Sequence, residues 1–238
     1  MSTEPLFYKK VTVLNKNQHG KLYIEPVKNY NHTRDTNSVY VAAIEFPRAS
    51  REYPIVFGKA GEDVFPVVLI GLESNSNRYL GKKGEWLADY IPAYVRRYPF
   101  ILASNDKEEG NFAVCIDESY PGFNTSKKGE PLFDDKGEES GLLKQNVEFL
   151  KDYQNNIQLT RLFCNNINKL GLLEPMQVNV EKDGKKQALG GFLCVNRNKI
   201  KTLADSDLLN LVKTDQMELI YAHLGSLNNL NRLLKTQA

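Results

Sequence analysis

The chain has 238 residues, of which 41% are hydrophobic and 25% are charged, values typical of a globular protein. Lys and Arg total 31 and Asp and Glu total 29, so the net charge of +2 argues against a nucleic-acid-binding protein. No apolar run approaches the ~20 residues that a membrane-spanning helix needs. The first ten residues lack the charged start and apolar block of a signal peptide. With three widely separated cysteines, these features predict a cytoplasmic protein with reduced thiols.

Residues 1–137 are rich in Tyr, Phe, Val, Ile, Pro and Gly, a composition that favours strands joined by tight turns. Proline has no N–H to donate to a strand ladder, so Pro54, Pro66 and Pro99 should lie at sheet edges, strand starts or bends. The predicted strands are 9–14, 21–24, 39–44, 55–57, 65–70, 98–103 and 112–116.

The pattern changes near residue 138. Leu143, Val147 and Leu150 begin a series of apolar residues at spacings of three or four, which predicts a long amphipathic helix. Gly171 is a suitable residue for ending that helix.

A hairpin and further helices are predicted after the long helix. An Asp-Gly pair between the apolar runs 177–181 and 187–195 is a strong hairpin signal. Asp205 is the expected cap of a helix over 206–213, and a second helix is expected over 216–234.

The predicted fold class is α+β in a single domain over residues 1–238. Its β-rich part, 1–137, should be mixed and mostly antiparallel. Its C-terminal part, 138–238, should contain a helix, a hairpin and further helices.

The sequence offers no set of metal ligands at a customary spacing. Its three histidines, His19, His32 and His223, lie far apart, and no Cys-x-x-Cys or His-Glu-x-x-His motif is present. We therefore expect neither a bound metal nor another cofactor.

Cys115 and His223 are weak candidates for a catalytic pair. Cys115 ends an apolar strand and would need a base to form a thiolate, and His223 lies on a helix with an apolar face. The favoured interpretation is that Cys115 is a small buried hydrophobic residue and that His223 is a hydrogen-bonded helix residue. In an enzyme, Asp117, Glu118 and Arg96 would complete the candidate set.

The segment 89–100 is unusually dense in tyrosine, proline and arginine. Arginine binds carboxylates through two hydrogen bonds and stacks on aromatic rings, and both Tyr and Arg are enriched in interface hot spots. In a strand, the two adjacent arginines would point to opposite faces. The segment therefore predicts a protein- or peptide-binding surface. The candidate binding residues are Tyr90, Tyr94, Arg96, Arg97 and Tyr98, with Glu45 and Arg51 from the polar cluster at 45–54.

A structural corner is the alternative interpretation of this segment. One arginine, Arg96 or Arg97, would then be buried against an acidic side chain, with the tyrosines in the core. The candidate acids are Glu45, Glu52 and Asp89.

Several blocks of the sequence resemble the bacterial SapC family, in order and over nearly the whole chain. One departure is Arg78-Tyr79, where the family more often has an apolar pair. The blocks are 42–46, 51–57, 67–72, 77–80, 84–86, 90–100, 115–118, 129–133, 191–192 and 222–226.

The resemblance implies a non-catalytic accessory protein. Members of the family are often encoded near cupin-like (JmjC-type) oxygenases and TonB-dependent receptors. This context implies a protein or peptide partner, either an iron/2-oxoglutarate oxygenase that modifies a peptide or a TonB-dependent receptor system. The alternatives are an enzyme using Cys115 and His223, and a structural protein associated with a surface layer.

Overall fold

The structure of the protein is a computed structural model. It describes residues 5–104, 112–182 and 185–235. Only the backbone is described at residues 104, 178–182, 185–189 and 235.

The protein has an α+β fold, which confirms the class predicted from the sequence. Within the described residues the strands are β1 (Val11–Val13), β2 (Tyr23–Ile24), β3 (Ser38–Tyr40), β4 (Ile55–Ala60), β5 (Asp63–Leu69), β6 (Phe100–Ser104), β7 (Phe112–Asp117), β8 (Phe123–Asn124), β9 (Glu130–Pro131), β10 (Leu173–Lys182) and β11 (Lys185–Val195). The α-helices are α1 (Lys16–His19), α2 (Phe46–Ala49), α3 (Ala93–Arg96), α4 (Gly141–Lys169), α5 (Arg197–Ile200), α6 (Asp205–Lys213), α7 (Gln216–Ser226) and α8 (Asn229–Lys235).

The chain forms two compact units, each assembled from two stretches of sequence. The first unit comprises Met1–His32 and Val95–Asn155. The second unit comprises Thr33–Tyr94 and Asn156–Ala238. None of the three boundaries, at 32/33, 94/95 and 155/156, coincides with the change in composition near residue 138.

The first unit contains two antiparallel sheets of three strands each. Their orders are β1–β7–β6 and β8–β2–β9. The apolar spacing in α4 places Leu143 and Leu150 on the buried face of that helix. The core cluster consists of Tyr8, Ile24, Tyr98, Phe100, Ile116, Tyr120, Leu132, Leu143 and Leu150.

The second unit is built on one antiparallel sheet of five strands, in the order β10–β11–β4–β5–β3. Pro66 lies inside β5, a strand with neighbours on both sides, so the expectation that it marks an edge, a start or a bend is wrong. Pro66 is tolerated because its pairing with β3 ends at Val67. The Leu69 N–H donates to the Pro54 carbonyl and so points toward the β4 side. Because the backbone nitrogens of successive residues in a strand point alternately to the two neighbouring strands, the nitrogen of Pro66 points away from β4.

The predicted long helix is confirmed as α4. It is followed by Gly171 at φ +67°, a left-handed conformation that glycine adopts without a Cβ penalty. The prediction that Asp205 caps the next helix is wrong by one position. Ala204 is the N-cap of α6, and Asp205 lies in its first turn, where a carboxylate favours the helix dipole.

The helix predicted over 216–234 is divided into α7 and α8. The hydroxyl of Ser226, the last residue of α7, donates to the His223 carbonyl at 2.6 Å and accepts from the Ile55 N–H at 2.9 Å. The end of α7 is thereby fixed against β4. The apolar residues keep a helical spacing from α7 into α8, so the sequence pattern does not indicate the contact between Ser226 and Ile55 that ends α7.

Gly129 provides a test of the turn that leads into β9. A Cβ at Gly129 (φ +81°) would lie 2.1 Å from the carbonyl oxygen of Ile24, whereas a Cβ at Gly137 (φ +76°) would have nothing within 4 Å. Both positions carry the cost of a left-handed backbone, about 1–2 kcal/mol for a residue with a Cβ. We expect Gly129→Ala to lower the free energy of unfolding by at least about 2 kcal/mol more than Gly137→Ala, measured by urea denaturation. Equal losses in the two variants would contradict a steric requirement for glycine at position 129.

Candidate functional site

The two adjacent arginines lie at the end of a helical turn. The helix α3 ends at Arg96, and β6 begins at Phe100 after a cis Tyr98–Pro99 bond. Neither arginine lies in a strand, so the opposite-faces geometry that a strand would impose does not apply. Their environments nevertheless differ, since Arg96 is exposed and Arg97 is only 8% exposed.

Arg97 packs among the aromatic rings of the first unit. Its guanidinium carbon lies 5.7 Å from the ring centroid of Tyr8 and 5.6 Å from that of Tyr153. At such distances the rings attract the cation electrostatically. Arg97 is therefore part of the interior packing, in the way the structural-corner alternative describes.

Arg96 lines a cleft of about 300 Å³ in the first unit. Its guanidinium carbon lies 5.2 Å from the ring centroid of Phe149. Stacking uses one face of the guanidinium, whereas its N–H groups point outward in the plane. The side chain is thus both supported by a ring and accessible to solvent, and we call this space the Arg96 cleft.

The walls of the Arg96 cleft are mainly apolar. Ile24, Tyr98 and Phe100 are buried members of the core, and Leu142 extends the apolar surface from the first turn of α4. The segment after Ile24 is held in place because the Glu25 N–H donates to the Gly122 carbonyl at 2.9 Å. These walls can bury an apolar group of a ligand.

The rim of the Arg96 cleft carries two carboxylates and an amide. Glu25 is ion-paired with Lys28 at 2.6 Å, and the hydrogen bond and charge of Lys28 hold the pKa of Glu25 below its usual value. Glu130 is exposed, and the Asn146 amide nitrogen donates to the Leu142 carbonyl at 2.9 Å. Arg96, Glu25 and Glu130 are the charged residues that line the cleft.

Tyr98 forms an uncharged part of the cleft wall. Burial raises the pKa of Tyr98 to about 12, and the negative charge of Asp117 adds to this shift. The ring of His32 stacks on Tyr98 with centroids 4.3 Å apart. Burial lowers the pKa of His32 to about 4, against a smaller opposing effect of Asp117. Both stacked rings are therefore neutral near pH 7.

The other predicted binding residues belong to the second unit. Glu45 is buried and accepts hydrogen bonds from the Tyr90 hydroxyl and the Ala93 N–H, both at 2.7 Å. Tyr94 is half-buried and Arg51 is exposed. Residues that line the Arg96 cleft all belong to the first unit. Of the seven predicted binding residues, the cleft thus contains Arg96 and Tyr98 alone.

Asp117 has a structural environment. Its carboxylate is fully buried and accepts from the backbone N–H groups of Lys9, Lys10 and Ser119 at 2.9–3.1 Å. Burial alone would raise the pKa of Asp117, but hydrogen bonds from the Ser119 side chain and these backbone groups outweigh it and lower the pKa. A carboxylate stabilised in this way is a poor proton acceptor.

Glu118 is also engaged by neighbouring side chains. It lies 2.6 Å from the Lys10 ammonium and 3.1 Å from Nε2 of the buried His19, and Gln18 donates to it at 2.9 Å. The hydrogen bonds from Lys10 and His19 lower the pKa of Glu118.

His223 and Cys115 lack the environments of a base and a nucleophile. Nε2 of His223 accepts from the Val195 N–H at 3.0 Å, and Nδ1 donates to the Ile55 carbonyl at 2.8 Å. Burial lowers the pKa of His223 to about 4 and raises the pKa of the Cys115 thiol. Cys115 belongs to the first unit and His223 to the second. A reactive cysteine needs a lowered pKa, which is the opposite of the effect at Cys115.

The buried His223 should make stability depend on pH. Its pKa is about 4 in the folded state and about 6.5 in an unfolded chain, so between these values the unfolded chain binds more protons. The free energy of unfolding should therefore fall by up to about 3 kcal/mol from this residue as the pH drops from 6.5 to 4. We expect His223→Gln to show a shallower fall than the wild type in urea titrations across that range. Parallel curves from pH 6.5 to 4 would contradict a neutral, buried His223.

The SapC family model matches residues 14–233, a range that includes every residue lining the Arg96 cleft. The chain belongs to the SapC family. No curated protein and no solved structure matches it. Among the described residues, no helix is long and apolar enough to cross a membrane. The same residues contain no group of three His, Cys, Asp or Glu side chains placed to hold a metal ion.

Four residues of the site were missed by the sequence analysis: Glu25, Glu130, Asn146 and Phe149. Glu25 and Glu130 approach each other because β2 pairs with β9, with Ile24 opposite Glu130. Asn146 and Phe149 lie on α4, one turn apart, where the apolar spacing identifies the buried face but not the residues beside it. Of these four residues, Glu130 alone lies in a block that resembles the SapC family, the block 129–133.

Proposed function

We propose that this SapC family member is a non-catalytic protein- or peptide-binding accessory protein, and that it binds its partner through the Arg96 cleft. The observation that carries the proposal is an exposed arginine, stacked on Phe149, at the edge of an apolar cleft. Interface hot spots combine these two features, a desolvated apolar centre and an arginine able to form several hydrogen bonds.

The environments of the candidate catalytic residues favour binding over catalysis. Hydrogen bonds to the backbone occupy both nitrogens of His223, and burial disfavours the Cys115 thiolate. Asp117 and Glu118 are held by local hydrogen bonds and ion pairs that stabilise their ionised forms. Their environments are therefore those of structural residues.

The identity of the partner is proposed from the family alone. In the cytoplasm, it would be an iron/2-oxoglutarate oxygenase that modifies a peptide, with the present protein activating it or presenting its substrate. A TonB-dependent receptor system is the second partner class that the family context suggests. Family membership supports this part of the proposal, and the cleft supports only the binding of a protein or peptide.

Replacement of Arg96 tests the proposal in the native host. Affinity-tagged wild-type protein should retain an oxygenase or receptor component in stoichiometric amount, and Arg96→Ala should reduce this retention about tenfold or more, because a charge-assisted hydrogen bond is lost. Quantitative mass spectrometry of the co-purified proteins provides the measurement. The matched control is Arg48→Ala, which removes an exposed arginine from the second unit.

Thermal unfolding of both variants should stay close to that of the wild type, since each side chain is exposed and loss of the stacking of Arg96 on Phe149 costs about 0.5–1 kcal/mol. Equal retention by Arg96→Ala and Arg48→Ala would exclude the Arg96 cleft as the binding site. A wild-type protein that retains no stoichiometric partner would contradict the accessory function itself.

A further inference from the structure

We infer that strand β1 accepts an extended segment of a partner protein as an added antiparallel strand, and that the groove beside β1 binds apolar side chains of this segment. The surface belongs to the first unit and shares no lining residue with the Arg96 cleft. The inference therefore goes beyond the proposed function. Three features support it: the unpaired edge of β1, the apolar floor of the groove and the charges along its sides.

The outer edge of β1 pairs with no other strand among the described residues, because the order of its sheet is β1–β7–β6. The Leu14 N–H donates to the Val114 carbonyl of β7 at 2.8 Å. Since backbone groups alternate in direction along a strand, the N–H and C=O groups of Val11 and Val13 point away from β7. In the described part of the chain these groups have no hydrogen-bond partner. Such an edge is a template for pairing with another chain.

A groove of about 640 Å³ adjoins this edge. Its apolar lining combines Val13 and Leu14 at the end of β1 with Ala113, Val114 and Phe133. Leu14, Val114 and Phe133 are partly buried and pack against the core of the first unit. An apolar side chain bound here leaves water for a surface that the core already holds in place.

Antiparallel pairing gives alternate residues of the added segment different contacts. The other pairings of this sheet are antiparallel. A residue opposite Val13 exchanges both backbone hydrogen bonds with it. A residue opposite Leu14 turns its backbone away from β1 and its side chain to the face shared by Leu14 and Val114, two residues of the groove. The segment therefore needs apolar residues at alternate positions, separated by residues with free N–H groups.

The sides of the groove carry two lysines and two glutamates, Lys16, Lys144, Glu138 and Glu139. All four residues are exposed, and none of them forms an ion pair with another described residue. Equal numbers of opposite charges match a segment with one acidic and one basic residue around its apolar positions. Exposed ion pairs add little affinity, so these charges serve mainly to set the register.

A second copy of the chain fits this edge poorly. Pairing of two β1 strands about a two-fold axis at Thr12, the centre of β1, would bring Lys9 of each copy near Lys16 of the other. Like charges disfavour this contact, and lysines are a common protection of an edge strand against self-pairing. The occupant we infer is therefore a segment of a different protein.

Two peptide pools test the inference on the full-length protein. The probe pool contains acetyl-Lys-Thr-X-Thr-X-Thr-Glu-amide and the same peptide with Lys and Glu exchanged, where X is an equal mixture of Val, Ile, Leu and Phe. The control pool has the same composition with the two X residues adjacent. Immobilised protein should retain the probe pool about tenfold more than the control pool, measured by mass spectrometry, because only alternation places both X residues on one face.

Methylation of single backbone nitrogens tests the hydrogen bonds to β1. N-methylation of the central Thr should reduce retention about tenfold or more, because its N–H lies opposite Val11 or Val13 and a methyl group there separates the strands. N-methylation of an X residue should change retention by less than about threefold, because its N–H points away from β1. Equal losses at the two positions, or equal retention of the probe and control pools, overturn the inference.

Variants of the protein locate the site. Val13→Pro removes an outward N–H, a change that an edge strand tolerates, and should reduce retention of the probe pool about tenfold. The matched control Val13→Thr keeps the N–H and should stay within about threefold of the wild type. Arg96→Ala should leave retention unchanged, since Arg96 does not line this groove.

Two other outcomes assign the peptides or the edge elsewhere and overturn the inference. Loss of retention in Arg96→Ala would assign the peptides to the Arg96 cleft. Self-association of the protein alone, measured by sedimentation and accompanied by slower amide hydrogen exchange at Val11 and Val13, would assign the edge of β1 to a second copy.

Discussion

The buried carboxylate of Asp117 holds two segments of the first unit in place. It accepts hydrogen bonds from the backbone N–H groups of Lys9 and Lys10 ahead of β1 and from that of Ser119 after β7. Its charge also contributes to keeping Tyr98 a neutral phenol. Tyr98, whose pKa is raised chiefly by burial, lines the Arg96 cleft. A buried charge is stable only with such a set of donors, so this part of the unit allows little variation in geometry.

The adjacent arginines Arg96 and Arg97 have different roles because Arg96 is exposed and Arg97 is buried. Arg97 lies between the rings of Tyr8 and Tyr153 and contributes to the interior, whereas Arg96 rests on Phe149 with its charged end exposed. Both use the same attraction between a guanidinium and an aromatic face. Because Arg97 is buried, this attraction contributes to the packing of the interior. Because Arg96 is exposed, the same attraction supports a side chain at the surface.

The sequence predicted the elements whose signals are local. Apolar spacing identified α4, and the Asp-Gly turn signal identified the hairpin of β10 and β11, although the turn residues 183–184 lie outside the described part of the chain. The strand predicted over 39–44 ends at Tyr40, because the carboxylate of Glu45 accepts from the Ala42 N–H at 2.7 Å and stabilises a 3₁₀ turn. The two-residue strands β8 and β9 have too few residues for an alternating pattern. Arg96 and Tyr98 were predicted as binding residues from their types alone. Phe149, on which Arg96 stacks, and Glu130, which lines the same cleft, come from distant parts of the chain.

The near-neutral charge of the protein bears on how the Arg96 cleft could recognise a partner. A net charge of +2 over 238 residues provides little long-range attraction for an acidic ligand. In the proposed function, recognition then depends on short-range contacts, which combine the exposed side chain of Arg96 with burial of an apolar group against the walls of the cleft. Each contribution alone is modest, because exposed charges are screened and the apolar volume is small. A partner that supplies both contributions at the correct spacing gains from both at once, which is the physical basis of the proposed binding of a protein or peptide.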